Sequence, residues 1–91
     1  MSRAMNLTIL YFASIKEALD CEREFIEDDQ FATVFATVND LVHQLSQRGP
    51  IWQSTLLDNK VLIAVNQTIG TLDTKLQAGD EIAFFPPVTG G

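Results

Sequence analysis

The chain has 91 residues and a formal net charge of −6, with 46% hydrophobic and 20% charged residues. Such values are typical of one small globular domain. The acidic balance argues against binding to nucleic acid or to an anionic membrane, since both require a basic surface. No apolar run approaches the roughly 20 residues that span a bilayer, and the apolar stretch near the N-terminus is too short for a signal peptide, so a cytoplasmic location is expected.

The first third of the chain carries two strand patterns. LTILYF, residues 7–12, is rich in strand formers and predicts a first strand with Leu7, Ile9 and Tyr11 on one face. SIKEALD follows as a turn or a short helix. CEREFIED, residues 21–28, alternates in the same way and predicts a second strand that pairs with the first.

A helix is predicted over residues 38–48, where the hydrophobic period changes from two to 3.6. Its apolar stripe consists of Val38, Leu41, Val42 and Leu45. Thr37 and Asp40 have the spacing of a capping box, and the Gly-Pro pair that follows supplies the stop. PIWQSTLL is then a short second helix or a turn, with Trp52 and Leu56 packing inward.

The last third predicts three more strands. VLIAVN is a nearly continuous apolar run, which is typical of a central strand. Asn66 and Gln67 form a tight turn into a short strand at residues 68–69. AGD at residues 78–80 marks another turn, and EIAFFP is the final strand.

This order of elements predicts an α+β domain, in which a mixed sheet carries one main helix on one face. It is the pattern of the ubiquitin-like β-grasp, where the first and last strands lie side by side at the centre. We expect the domain to cover residues 1–86, followed by a flexible tail at residues 87–91.

The final strand leads into FFPPVTGG, and its two phenylalanines cannot both face the core, because side chains alternate along a strand. With Ile82 and Phe84 inward, Phe85 lies outside. The same alternation exposes Phe12 on the neighbouring strand, and Ile69 is a candidate for the same surface. Exposed apolar residues on adjacent strands form the kind of patch that binds another protein.

Beyond this strand the chain changes character. Pro86 and Pro87 cannot donate to a sheet ladder, so the sheet should end there. Residues 87–91 reach roughly 16 Å when extended. Gly90 and Gly91 minimise the cross-section of this arm and let its backbone approach a reaction centre closely. Gly-Gly alone is a weak signal, since small residues are common at disordered ends, but its place behind an apolar strand and two prolines strengthens it.

VLIAVNQT and GDEIAFFPPVTGG, together with YFA at residues 11–13, resemble the molybdopterin synthase small-subunit family, sulfur carriers of the ubiquitin-like superfamily. The match is densest over residues 60–91. It includes Asn66, Gln67, Thr68, Gly79, Asp80, Glu81 and everything from Ala83 onward. Residues 14–36 are generic, and FFPPVTGG is the most specific part of the likeness.

The resemblance implies chemistry at the carboxylate of Gly91. In the family, an adenylyltransferase related to ubiquitin-activating enzymes uses ATP to adenylate the terminal glycine, and delivered sulfur then gives a thiocarboxylate. The loaded chain inserts its tail into the large subunit of a two plus two heterotetramer. There the sulfur passes to a cyclic pyranopterin phosphate, and two transfers build the dithiolene that later binds molybdenum.

Carried over to this chain, the resemblance makes Gly90 and Gly91 the reacting end. The strand pattern makes Phe12, Ile69 and Phe85 candidates for partner binding, or core residues if the predicted strand phases are wrong. The remaining partner-binding candidates are Pro86, Pro87, Val88 and Thr89. No side chain of the protein need be catalytic, so it acts in an enzyme only as the small subunit of a two-subunit sulfurtransferase. No metal and no permanently bound cofactor are expected, and ATP is used by the activating enzyme.

Other functions stay open. Gly91 could be joined to lysines of target proteins, as in a ubiquitin-like modifier, or the sulfur could serve another pathway such as thiamine synthesis, although FFPPVTGG fits the molybdopterin group better. A third alternative is a β-grasp binding module without tail chemistry.

Four features outside the tail receive plain structural interpretations. Cys21 is expected to be an ordinary strand residue whose pKa the neighbouring acids raise, and as the only cysteine it has no disulfide partner within the chain. His43 falls off the apolar stripe and should be exposed, while Trp52 should belong to the core. Residues 17–29 contain seven acids opposed only by Arg23, and they should form a solvated face that could steer a basic partner.

Overall fold

The computed structural model describes residues 6–26, 36–58 and 60–87. The elements in this part of the chain are β1 (Leu7–Tyr11), α1 (Ala13–Leu19), β2 (Arg23–Ile26), α2 (Val38–Ser46), α3 (Pro50–Leu56), β3 (Leu62–Val65), β4 (Thr68–Gly70) and β5 (Glu81–Phe85). The longest helix is α2, in the place where the sequence predicts the main helix.

β1 and β5 lie side by side at the centre of a sheet with the order β2-β1-β5-β3-β4. They run parallel, with Ile9 opposite Ile82 and Tyr11 opposite Phe84, whereas the other neighbouring strands pair antiparallel. Parallel neighbours need a long crossover connection, which the helices and the remaining strands supply here. The predicted α+β class with a mixed β-grasp sheet is confirmed.

One face of the sheet packs against the helices. Burial alternates along β1 and β5, so that every second side chain is removed from water. The strand residues buried in this core are Leu7, Ile9, Tyr11, Ile26, Ile63, Val65, Ile82 and Phe84. The helices contribute Ile15, Leu19, Val38, Leu41, Val42, Leu45 and Leu56 to the same core. The opposite face of the sheet, called the open face below, carries the alternate set.

α2 begins at a complete capping box, as the sequence predicts. The Thr37 hydroxyl accepts from the amide of Asp40 at 3.3 Å, and the Asp40 carboxylate accepts from the amide of Thr37 at 3.1 Å. The same carboxylate accepts from the amide of Ala36 at 3.0 Å. These bonds satisfy amide groups that the first turn of a helix leaves without partners.

α2 ends earlier than predicted, at Ser46. The amides of Gln47 and Arg48 donate to carbonyls three residues back, at 3.3 and 3.1 Å, which tightens the last turn and ends the α-helix. Gly49 and Pro50, which the sequence predicts to end this helix, instead connect α2 to α3. Gly49 has φ 153° and ψ 173°, a conformation that glycine adopts readily, and Pro50 opens α3, where its missing amide costs nothing.

β1 ends earlier and β2 begins later than the sequence predicts. β1 ends at Tyr11 because Phe12 is the N-cap of α1, so SIKEALD forms part of a helix rather than a turn. β2 begins at Arg23, and Cys21 and Glu22 precede it. Residues 27–28 of the predicted second strand lie outside the described residues.

The Asn66-Gln67 turn fastens the start of β5. Both residues have positive φ, 53° and 70°, which matches the twist of a two-residue hairpin between β3 and β4. The Asn66 side chain accepts from the amide of Glu81 at 3.0 Å and donates to the Asp80 carboxylate at 2.8 Å. Asp80 in turn accepts from the amide of Gln77 at 2.7 Å. The VNQT and GDE motifs therefore have a structural role, at the end of β5 far from the glycines.

Candidate functional site

An apolar row crosses the open face at the middle of four strands. The register places Leu10 beside Ala83, Ala83 beside Ala64, and Ala64 beside Ile69. Because adjacent strands lie about 4.8 Å apart, the row is continuous from β1 to the edge strand β4. Ile69 is the most prominent member, with 66% of its surface exposed.

A second apolar row lies where β5 ends. Phe85 pairs with Leu62 of β3, and on the other side Phe12 follows the Tyr11–Phe84 pair. The amide of Phe12 donates to the carbonyl of Phe84 at 3.0 Å, which fixes Phe12 next to the exit of the chain from the sheet. Phe12 is 46% exposed, and both Phe85 and Leu62 are half-buried.

The predicted strand phases agree with this arrangement, since Ile82 and Phe84 are fully buried and Phe85 lies on the open face. Phe12, Phe85 and Ile69 share that face, although Ile69 belongs to the neighbouring row. Their binding to a partner stays a prediction.

The predicted patch left out three further members of the open face, Leu10, Leu62 and Phe25. Phe25 is 58% exposed on β2, opposite Thr8. The alternation of REFI contains the necessary signal, because Ile26 is buried and its neighbour must then point the other way.

The arm begins directly beyond the second row. Pro86 is half-buried and Pro87 is exposed, and neither continues the ladder of β5. The other predicted arm residues, Val88, Thr89, Gly90 and Gly91, lie outside the described residues.

Beneath the base of the arm lies a polar and aromatic group that we call the tyrosine cluster: Tyr11, Glu24, Arg48, Trp52 and Phe84. The Tyr11 hydroxyl donates to the Glu24 carboxylate at 2.6 Å, and Arg48 donates to both oxygens of that carboxylate at 2.8 Å. The Arg48 guanidinium stacks 4.6 Å from the ring centre of Trp52. Trp52 meets the Tyr11 ring edge-on at 5.7 Å, and Phe84 stacks on the same ring at 5.8 Å.

The cluster perturbs the acidity of its members. Burial raises the pKa of Tyr11 well above its ordinary value, and the adjacent Glu24 carboxylate adds to this. Partial burial by itself raises the pKa of Glu24, but the hydrogen bonds from Arg48 and Tyr11 and the charge of Arg48 outweigh it and lower that pKa. The hydrogen bond to Glu24 raises the pKa of Arg48. At neutral pH the cluster therefore holds a neutral phenol, a carboxylate and a guanidinium.

This arrangement predicts a dependence of stability on pH. Because folding lowers the pKa of Glu24, its contribution to stability is fully present above the unfolded pKa and is lost as pH falls through the folded pKa. We expect Glu24→Gln to lower the free energy of unfolding by about 1 to 2 kcal/mol at pH 7, and to flatten its decline between neutral pH and pH 3. Urea unfolding across this range measures both effects.

The matched control is Glu17→Gln, which makes the same substitution at an exposed acid of α1. This variant should keep the pH profile of the parent chain. Identical profiles for Glu24→Gln and Glu17→Gln would contradict the assigned role of Glu24.

The structure agrees only in part with the predictions for residues 17–29, Cys21, His43 and Trp52. Glu24 is not part of a simple solvated face, because Arg48, which lies 24 positions along the chain, opposes it. Residues 27–29 lie outside the described residues. Cys21 precedes β2 rather than lying on it, and partial burial, followed by the charge of Glu24, raises the pKa of its thiol. His43 is exposed as predicted, and Trp52 is half-buried against the core.

The described residues were also compared with the requirements of a metal site and of a membrane-spanning helix. Within residues 6–26, 36–58 and 60–87, no group of three or more His, Cys, Asp or Glu side chains is placed to hold a metal ion. Across the same ranges, no helix has the length and apolar character needed to cross a membrane.

The fold and the face it presents define a ubiquitin-like β-grasp protein, with an apolar open face that ends where the chain leaves β5. The chain belongs to the ThiS family, whose sequence model matches residues 9–91. The match therefore includes residues 87–91 and all of the sheet except the first two residues of β1.

Individual proteins agree with this assignment. The molybdopterin synthase sulfur carrier subunit of Haemophilus influenzae is 42% identical over 85 residues, covering 93% of this chain and 99% of the relative. Among solved structures, SAMP1 from Haloferax volcanii superposes with a TM-score of 0.75 at 26% identity, covering 94% and 99% of the two chains. A chain from the complex of subunits 1 and 2 of the molybdopterin-converting factor of Helicobacter pylori gives a TM-score of 0.63 at 28% identity, covering 96% and 100%.

Proposed function

We propose that the protein is a sulfur-carrier small subunit of molybdopterin synthase, acting through the carboxylate of Gly91. The observation that carries the proposal is the identity of 42% with a sulfur carrier subunit over 93% of the chain, within a family match that runs through residue 91. The open face and the arm that follows Phe85 supply the two parts that a carrier needs, a docking surface and a reactive end.

The first step is activation of the arm. A carboxylate is a poor electrophile, so an adenylyltransferase joins the Gly91 carboxylate to the α-phosphate of ATP and releases pyrophosphate. Hydrosulfide then attacks the acyl carbon, forming a carbon–sulfur bond as AMP leaves, and loss of the sulfur-bound proton gives a thiocarboxylate. A side chain at Gly91 would crowd both attacks, and glycine leaves the acyl carbon open.

The second step is delivery to a partner. The thiocarboxylate sulfur is a better nucleophile than a carboxylate oxygen, and it attacks a carbon of a cyclic pyranopterin phosphate in the large subunit. A carbon–oxygen bond at that carbon breaks as the carbon–sulfur bond forms, and its oxygen leaves as water or on the phosphate. Water then cleaves the bond between the acyl carbon and the sulfur, which returns Gly91 to its carboxylate form. The solved complex of subunits 1 and 2 of the molybdopterin-converting factor from Helicobacter pylori supports such a partner, because one of its chains is similar to this protein. Two copies of each subunit would give the heterotetramer.

The charge of the chain suggests which groups the carrier supplies and which groups its partner supplies. A net charge of −6 suits the protein to partners with basic surfaces, and such surfaces would also bind the phosphate of the substrate. General acids and bases for the transfer would belong to the large subunit, and the carrier would supply the nucleophile. Because activation consumes ATP, we place the reaction in the cytoplasm.

Intact mass spectrometry of the chain isolated from cells tests the proposal. A sulfur carrier should show a population heavier by the difference between sulfur and oxygen, and this population should disappear on incubation with the large subunit and the pterin precursor. Only the unmodified mass, under conditions of active molybdopterin synthesis, would refute the proposed function.

A second candidate function has one observation in its favour. SAMP1 from Haloferax volcanii, compared above, is by name a small archaeal modifier protein. One adenylate at Gly91 could react either with sulfur or with the amine of a target lysine. Conjugates of high mass that contain a Gly91–lysine amide bond would support the modifier. Their absence, together with the sulfur-loaded form, would support the carrier.

A further inference from the structure

We propose that Tyr11, Glu24, Arg48 and Trp52 are positioning residues that orient the base of the C-terminal arm through Phe84. This inference rests on the proposed function, since it concerns how accurately the arm presents Gly91 to a partner. None of these residues touches the reacting atoms, and they act through the aromatic ring next to the exit of the chain.

Because Phe85 pairs with Leu62 alone, Phe84 is the last residue of β5 that pairs with a strand on both sides. Its ring is completely buried, and its backbone lies between Tyr11 of β1 and Ile63 of β3. Its carbonyl also accepts the hydrogen bond from the amide of Phe12. Phe85 is only half-buried, and the prolines that follow make no ladder bonds. The direction in which the arm leaves the domain is therefore set at Phe84.

The Tyr11 ring is the surface against which Phe84 is aligned. The two rings stack with an angle of 14° between their planes, and Trp52 closes the site with an angle of 84° to Tyr11. A rotation of the Tyr11 ring would displace Phe84, because protein interiors are packed too densely to absorb such a movement.

Three polar contacts prevent that rotation. The Tyr11 hydroxyl is bound at 2.6 Å by Glu24 of β2, and Glu24 is gripped by both terminal nitrogens of Arg48 at 2.8 Å. A bidentate arginine–carboxylate pair fixes orientation as well as distance. Arg48 then lies over Trp52 of α3, so the contacts return to the Tyr11 ring. The circuit joins β1, β2, the segment after α2, and α3 around a single ring.

The Glu24–Arg48 pair is partly exposed, with 19% of the Glu24 side chain and 38% of the Arg48 side chain open to water. Ion pairs exposed to solvent contribute little to stability by themselves, whereas a bidentate pair fixes geometry. The polar circuit here lies directly under the base of the arm. This position favours a role in orientation over a role in stability alone.

The two prolines carry a change of direction at Phe84 into the start of the arm, because each fixes its own φ. Residues 85–87 span roughly 10 Å when extended, so a tilt of about 10° at Phe84 displaces Pro87 by about 2 Å. Misplacement of a reacting group by about 1 Å can cost about a hundredfold in rate. Loss of the circuit should therefore slow transfer in the complex more than it weakens the complex.

The test uses full-length chains loaded as thiocarboxylates and mixed with the large subunit and precursor in single turnovers. Arg48→Ala removes the grip on Glu24, and Tyr11→Phe removes one hydroxyl while the ring stays. Val38→Ala serves as the stability control. This residue of α2 is fully buried, and its amide donates a hydrogen bond to the carbonyl of Thr74, outside the tyrosine cluster. We measure the rate constant at saturating large subunit and, separately, the affinity for it.

We expect the transfer rate constant to fall about tenfold in Arg48→Ala and about threefold in Tyr11→Phe, with affinity changed less than twofold. The amide resonances of Phe85 in ¹⁵N-labelled chains should shift in both variants. Val38→Ala should lose stability while keeping the parent rate constant and the parent Phe85 resonance.

Parent-like rate constants in both cluster variants would overturn the positioning role, as would an equal slowing in Val38→Ala. A parent chain that cannot be loaded with sulfur refutes the proposed function instead. In that case the Phe85 resonances still decide whether the cluster orients the base of the arm.

Discussion

Removal of Gly90 and Gly91 is expected to abolish sulfur transfer while the domain stays folded. The truncated chain ends at Thr89, so its carboxylate falls short by about 7 Å, and a β-branched side chain stands beside the reacting carbon. We expect the rate of adenylation to drop by a factor of about a thousand or more. The buried core of the described residues ends at Phe84, so the melting temperature should not change. An assay of molybdopterin formation with purified components measures the first effect, and circular dichroism measures the second.

A variant of unchanged length separates the effect of a shorter arm from the effect of a side chain beside the reacting carbon. Gly90→Ala with Gly91→Ala restores the span and adds two methyl groups, so its activity should lie between those of the truncated and parent chains. An active truncation would overturn the mechanism, because the carboxylate of Gly91 would then be dispensable.

Replacement of Phe85 by aspartate should have the second largest effect. Phe85 lies between Phe12 and Leu62, where the open face meets the base of the arm, so a partner that grips the arm must also cover this side chain. Burying a charge in an apolar contact is costly, and a central aromatic anchor typically contributes about 2 to 4 kcal/mol to binding. We expect Kd for the large subunit to rise by about 30- to 1000-fold. Calorimetry with the purified subunits measures this change.

The matched control is Ile51→Asp, which places the same charge on an apolar residue of α3 that is 59% exposed and lies away from the sheet. Its affinity for the large subunit should equal that of the parent chain. Phe85→Leu, which keeps an apolar contact of smaller area, should weaken binding less than tenfold. If Phe85→Asp folds and binds normally, the open face is not the docking surface.

The two predictions concern different functions of residues that lie close together in the sequence. The glycines concern chemistry at the end of the arm, whereas Phe85 concerns recognition at its base. Asn66 and Asp80, which belong to the most recognisable stretch of the sequence, take part in neither. They fasten the start of β5 to the β3–β4 turn, and their place in the motif reflects folding.

The sequence by itself determined the features that depend on near neighbours. The alternation of β1 and β5 assigned Tyr11 and Phe84 to the core and Phe85 to the open face, because side-chain direction repeats every two residues. The capping box at Thr37 and the tight turn at Asn66 are equally local, since each satisfies its own backbone within a few residues.

The tertiary structure alone decided which distant residues meet. Glu24 and Arg48 are 24 positions apart, and no local pattern joins them, so the acidic stretch looked opposed by Arg23 alone. Their contact exists because β2 pairs with β1 in one register and α2 ends early, which brings Arg48 over Trp52. Long-range pairing of this kind depends on the packing of the whole core, which fixes the orientation of Tyr11 and, through Phe84, the point from which the arm departs.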